Sequence, residues 1–330
     1  MALFSVPCRE PAPGGAKIRA MSGADTIRAG VVGAGVFGGH HARTLARAGG
    51  VELVGVCDTD LDRAQAVASA CGAPAAEGFD DFGCLLDAVD AVVVATPAPS
   101  HAALAAEALL LGVHTLVEKP LATTLREADR LVGLAEVEGR VLQVGHQESY
   151  AARALGLPGR GVPDLLRATR HGRRCGRGTE VSVVMDLMIH DLHLAVLLTG
   201  TDPDAAEAEV LACEVRAGGG ERPDRVEATL RLGATRCELS ASRVEERPVR
   251  TLELSYPRER LRVDLATREV VGAGGRVRPL ASAPGNPLAC GAAAFLRAIR
   301  GEGPPGVCGR EGRAALRLAL QVERAAREAA

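Results

Sequence analysis

Aromatic side chains are scarce: two Tyr, five Phe and no Trp, or 2% of 330 residues. A stacking surface of the lectin kind and an aromatic membrane belt are therefore not expected. No apolar stretch approaches the roughly 20 residues that cross a bilayer. The opening MALFSVPCREPAPGG lacks a basic n-region and is broken early by proline, so it does not read as a secretory signal. Met21 is a candidate start, and residues 1–26 are expected to form a disordered extension. Charge of one sign is also lacking. A formal net charge of -2 supplies no pull toward nucleic acid or an acidic membrane. The nine cysteines are odd in number, scattered and never spaced C-x-x-C. That pattern argues against a disulfide framework or a metal site and for reduced thiols in a cytoplasmic protein.

The charged fraction of 24% and apolar fraction of 47% are those of an ordinary globular chain, long enough for two domains. From Ile27 the pattern alternates. Strands are expected at Ile27–Val32, Val51–Cys57, Ala91–Ala95, His114–Val117 and Val141–Val144, with helical stretches between them. The run Val92, Val93, Val94 reads as a strand buried on both faces. Thr124 followed by Glu127 is a capping-box signature. Strands alternating with helices imply a parallel, doubly wound sheet, because parallel neighbours need a crossover.

The second half changes period. One helix is expected from Asp186 to Thr199, stopped by Gly200. Short segments follow at Glu209–Val215, Val226–Leu232, Cys237–Ser242, Arg250–Tyr256 and Leu261–Leu265. Their period-two patterning predicts an antiparallel sheet with one covered face. Helices return at Leu288–Arg300 and Gly312–Ala326. The fold class expected is α/β: a doubly wound parallel sheet over 27–147, then a domain over 148–330 with an open, mostly antiparallel sheet.

The turn after the first strand reads GAGVFG, which places Gly33, Gly35 and Gly38 in G-x-G-x-x-G. In such a turn the glycines allow a tight bend, close approach to a pyrophosphate and close helix–strand packing. Val36 and Phe37 lie within it. Asp58 stands about twenty residues on, at the end of the second strand, where an acid suits ribose hydroxyls and repels a 2′-phosphate. NAD is therefore expected over NADP, with Asp60 adding negative charge and Arg63 partly offsetting it.

Four stretches together resemble the Gfo/Idh/MocA oxidoreductase family: GVVGAGVFGGHHARTL, VVVATPAPSHAALAAEALLLGVHTLVEKPLA, VLQVGHQESY and VVMDLMIHDLHLAV. The resemblance implies a Rossmann domain followed by a sheet domain whose face makes a homo-oligomer. It implies that Lys119 and His190 act in catalysis with Asp186. It also places Thr96, Pro97, His101 and Glu118 beside the cofactor, and Gln147, Tyr150 and His193 near the substrate. Chemistry agrees with these roles. Oxidising a secondary alcohol needs a base for the hydroxyl proton, and histidine titrates near working pH. Lys119, at a strand end, can steady the alkoxide-like charge. Asp186 and His190 are spaced i, i+4, so on an α-helix they would share a face. His40 and His41 are expected to be structural.

GHQESY paired with DLMIHD resembles a sugar-nucleotide branch of the family. That branch oxidises the 3-hydroxyl of UDP-N-acetylglucosamine, and a PLP-dependent aminotransferase then uses the ketone. Ser149 departs from the arginine usual there, with Arg153, Arg170 and Arg173 as candidate replacements. A free polyol such as an inositol, and a non-catalytic dinucleotide sensor, stand as the two other expectations.

Overall fold

The computed structural model describes residues 26–73, 76–173, 180–216, 223–272, 277–278 and 286–329. The expected extension and the candidate start at Met21 lie outside these residues. The first half alternates β1 (Ile27–Val32), α1 (Val36–Ala46), β2 (Val51–Cys57), α2 (Leu61–Ala70), β3 (Glu77–Phe79), α3 (Phe82–Ala88), β4 (Ala91–Val94), α4 (Ala98–Leu110), β5 (His114–Val117), α5 (Leu125–Val137) and β6 (Leu142–Val144). All six strands are parallel, in the order β3-β2-β1-β4-β5-β6. One face, with Ala29, Val31, Val93 and Leu116, packs against Ala42, Leu45 and Phe295. The other, with Val32, Val92, Val94 and Val117, packs against Leu85, Ala105 and Leu131. Burial on both faces is what a strand as apolar as AVVV predicts.

β3 and α3 have no counterpart among the expected elements. A three-residue edge strand and a seven-residue helix hold too few periods to show a pattern. The capping box is as expected: Thr124 Oγ1 accepts from Glu127 N, and Glu127 accepts from Thr124 N.

The second half follows with α6 (Glu148–Ala154), β7 (Leu165–His171), a π-helical turn (Val184–Met188) leading into α7 (Ile189–Thr199), β8 (Glu209–Arg216), β9 (Arg225–Leu232), β10 (Thr235–Ser242), β11 (Val249–Ser255), β12 (Arg260–Asp264), β13 (Glu269–Gly272), β14 (Val277–Arg278), α8 (Pro287–Ile299) and α9 (Gly309–Glu328). Gly200, in the left-handed region, ends α7 as expected. The second sheet runs β14-β13-β12-β11-β7-β10-β9-β8 and is antiparallel except for the β7–β10 pair. Its inner face packs into the core, and its outer face carries ion pairs such as Arg167–Glu238 and Arg236–Glu238. Among the described residues no helix is long and apolar enough to cross a membrane.

Strand β7, near the middle of this sheet, was not anticipated. Its inward residues are Leu166, Ala168 and Arg170, and the arginine breaks the apolar alternation. Arg170 is only 4% exposed and donates to Asp191 at 2.8 and 3.0 Å and to Glu148 at 2.7 Å. One guanidinium thus joins β7, α7 and α6.

Cys84 departs from the expectation of reduced thiols throughout, being disulfide-bonded. It sits half-buried at the start of α3, whereas Cys57, Cys71 and Cys237 are buried free thiols.

The buried triad gives a first expectation. Arg170→Met leaves Asp191 and Glu148 without their cation in a dry setting, a loss of roughly 3–5 kcal/mol for such a site. The midpoint of urea unfolding should fall accordingly. An unshifted midpoint would show that the triad contributes nothing to stability.

Candidate active site

The chain reverses sharply after β1. Gly33 has φ +99°, and a Cβ there would stand 2.6 Å from the Ala95 carbonyl oxygen. A Cβ on Gly38 would collide with the carbonyl of Gly33. Only glycines allow α1 to lie this close to β1 and β4. Gly35 caps α1 in extended backbone without a side-chain bond, so the positive end of the helix dipole faces the turn. Val36 and Phe37 are exposed there, at 56% and 43%, an apolar ledge of the kind a dinucleotide covers.

Asp58 ends β2 beside this turn. Its Oδ2 accepts from Ala34 N at 2.7 Å, and its Oδ1 accepts from Arg63 at 2.6 Å. Burial raises its pKa, but these hydrogen bonds outweigh that and hold the carboxyl below its ordinary value. Asp60 is occupied otherwise, as the N-cap of α2. The strand order reverses between β1 and β4, so a crevice opens over the C-terminal strand ends at that point. With phosphates at the glycine turn and a ribose at Asp58, the nicotinamide half is left to β4 and β5. Thr96, Pro97, Glu118 and Lys119 emerge there.

His101 does not face that crevice. It is buried behind the Thr96–Pro97 turn, with Nδ1 2.7 Å from Pro120 O and Nε2 2.8 Å from Thr96 O. It braces the loop. The Lys119–Pro120 peptide bond is cis.

Lys119 reaches across to the second half of the chain. Its Nζ donates to Asp186 O at 2.6 Å and Asp186 Oδ1 at 3.0 Å. Two of its three N–H bonds are thereby used. Asp186 and His190 were expected to share a helix face; the Asp186 carboxylate is bonded to Lys119. The segment is a π-helical turn over Val184–Met188, not the α-helix expected to begin at Asp186.

His190 is half-buried at the start of α7, with Nδ1 facing inward and unpartnered. Burial, then the charges of Lys119 and Arg170, hold its pKa well below the ordinary histidine value. It is a neutral imidazole able to accept a proton. His146 lies edge-on to it, ring centres 5.9 Å apart, and stacks face to face on His193 at 4.4 Å. His146 and His193 are both buried. Parallel stacking keeps their nitrogens from converging on one ion, and no group of His, Cys, Asp and Glu among the described residues is arranged to hold a metal.

Gln147 meets the crevice floor, its Nε2 3.4 Å from Glu118 Oε1. Tyr150 packs instead against Gly291 and Gly306, on the α8 side. Ser149 is buried and donates to His146 O. The three arginines considered as its replacement are engaged elsewhere: Arg153 with Gly306 O and Glu311, Arg170 in the triad, and Arg173 with Glu246 O.

The family model for an oxidoreductase family with an NAD-binding Rossmann fold matches residues 27–146. UDP-N-acetylglucosamine 3-dehydrogenase of Acidithiobacillus ferrooxidans is 35% identical over 310 residues, covering 90% of this chain and 96% of that one. Its solved structure superposes with a TM-score of 0.84 at 34% identity, over 92% of this chain and 98% of the other. The chain belongs to the Gfo/Idh/MocA oxidoreductase family. An inositol 2-dehydrogenase of Rubrobacter xylanophilus is 41% identical, but over 182 residues, or 52% of each chain.

As a member of this family the chain is an NAD-binding dehydrogenase, and the glycine turn, helix end and Asp58 fit that cofactor. Two further residues lie close to these side chains. His41, expected to be structural, holds Glu118: its Nε2 lies 2.8 Å from Glu118 Oε1. Arg250 on β11 sits across the ladder from Arg170, so both point to the α7 side, and its charge bears on His190. The turn GGHHA could have flagged His41, one helical turn after the last motif glycine. Nothing local could have flagged Arg250.

Asp58→Ala should narrow the preference for NAD over NADP, since it removes the acid and releases Arg63. The expected loss in NAD binding is roughly 1.5–3 kcal/mol, the range for charge-assisted hydrogen bonds. Fluorescence titration with both cofactors checks this, and an unchanged preference would clear Asp58 of the role.

Proposed function

We propose that the chain oxidises the 3-hydroxyl of a UDP-linked N-acetylhexosamine to a ketone. The observation that carries this reading is the extent of the likeness to the A. ferrooxidans 3-dehydrogenase. It spans both sheets, whereas the inositol dehydrogenase named above matches over about half the chain. Substrate choice is made in the second half, so likeness there weighs most.

The cofactor supplies a hydride acceptor. We assign the hydroxyl proton to His190, which is neutral and half-buried beside Lys119. The third N–H of Lys119 steadies the oxygen as negative charge grows on it. Asp186 holds that ammonium in place from two oxygens. Gln147 lies at the floor of the site, while His193 and Tyr150 support it from behind. Arg250, exposed and on the site side of the sheet, is the guanidinium we assign to the diphosphate. We assign 27–147 to cofactor binding and 148–330 to substrate binding. The remaining parts of the proposal are a homo-oligomer joined through the outer face of the second sheet and a cytoplasmic setting. A PLP-dependent aminotransferase would consume the ketone.

Lys119→Met and His190→Asn should each lower turnover by roughly 10²–10⁴, the usual contribution of an acid–base group, with NAD binding retained. Because a base works deprotonated and the His190 pKa is depressed, kcat/KM should stay level as pH falls through 6.5 (~ the free histidine value). A decline centred at that pH would contradict a depressed base.

The substrate is tested by following NADH with UDP-N-acetylglucosamine, alone and with an aminotransferase and glutamate to draw off the ketone. An amino group at C3 of the product is the expected result. Arg250→Ala should raise KM for the nucleotide sugar with little change in kcat. Turnover of myo-inositol with no response to any UDP-sugar would replace this substrate with the polyol.

A further inference from the structure

Glu118 is a carboxylate at the end of a parallel strand, buried to 8% exposure. Its Oε1 lies 2.8 Å from His41 Nε2 and 3.4 Å from Gln147 Nε2, and its Oε2 accepts from Lys119 N at 3.3 Å. A Cβ on Gly145 would stand 2.8 Å from the carboxylate, so a bare backbone passes where it turns. Burial alone would drive this acid to its neutral form. The hydrogen bond from His41 and the nearby Lys119 and His101 overcome that, so its pKa is lowered on balance.

His41 is the strongest of these partners, and it is not a neighbour in sequence. It stands on α1, the helix whose N-terminus faces the phosphates, and is only 3% exposed. Its bond to Glu118 therefore connects the phosphate end of the crevice with the nicotinamide end. The placement matters because oxidised nicotinamide carries a positive ring charge and the reduced ring carries none. A fixed negative charge in a desolvated wall discriminates between the two.

We propose that the Glu118 carboxylate makes the site favour NAD⁺ over NADH, and that His41 is the positioning residue that keeps this carboxylate charged. The inference rests on the NAD site described above but not on the identity of the sugar. It gives the pair a role in cofactor exchange: a site that holds NAD⁺ more firmly than NADH releases its reduced cofactor readily, while the bound NAD⁺ becomes the weaker hydride acceptor.

The test is a pair of dissociation constants, for NAD⁺ and for NADH, measured by calorimetry without substrate. Glu118→Gln keeps the shape and removes the charge. Its NAD⁺ affinity should fall about tenfold relative to NADH, the scale of one charge interaction in a partly screened site. His41→Leu should move the ratio the same way, while His41→Gln, which still offers an N–H donor, should stay close to the parent protein. A purely structural pair would weaken both cofactors alike or lower stability without moving the ratio. An unchanged ratio in Glu118→Gln overturns the proposal even if His41→Leu does not fold. Failure of the parent protein to bind either cofactor would instead overturn the dinucleotide site itself.

Discussion

Helix α1 lies as close to β1 and β4 as backbone allows, and the rest of the site depends on that contact. A methyl group on Gly38 would strike the Gly33 carbonyl, and one on Gly33 would strike Ala95. This closeness directs the positive end of α1 to the crevice where the strand order reverses. It also brings His41, one turn further along, within 2.8 Å of a carboxylate on β5. The parallel arrangement does the remainder, because every C-terminal strand end opens on one edge. Asp58, Thr96, Glu118 and Lys119 share that edge although they are spread over some 60 residues (about half a Rossmann domain).

The chemistry is organised by charges that are held rather than free. Asp58 is fixed by Ala34 N and Arg63, Glu118 by His41, Lys119 by Asp186, and Arg170 by Asp191 and Glu148. Fixed dipoles and ions need no rearrangement as charge develops on a reacting oxygen. Against them stand His146, His190 and His193, which burial keeps neutral. Cations at Lys119 and Arg170 reinforce that state for His190. An imidazole in such surroundings stays available as a proton acceptor at neutral pH.

The two halves of the chain are joined where Lys119 meets Asp186. Lys119 comes from the first sheet, and its carboxylate comes from the turn that precedes α7. The end of the chain then returns to the first half, with Gln143 of β6 bonded to Gly291 of α8 and to Gly306 before α9. The outer face of the second sheet is left charged, as a ladder of arginine and glutamate. A face of that composition suits a polar, salt-sensitive contact more than an apolar one.

Local pattern in the sequence determined much of this. The glycine turn, the acid at the end of β2, the capping box at Thr124, the lysine at a strand end and the helix stopped by Gly200 are each legible because their physics acts over a few residues. The structure alone decided the rest. It placed β7 in the second sheet despite a buried arginine that breaks its alternation. It wound a π turn at Val184–Met188 and paired the Asp186 carboxylate with Lys119. It also put His101 behind its loop, His41 onto Glu118 and Arg250 beside α7. For His41 and Asp186 the physical reason is distance along the chain. The partners are 77 residues apart for His41 and Glu118 and 67 for Lys119 and Asp186, and such pairs exist only once packing has removed the water between them.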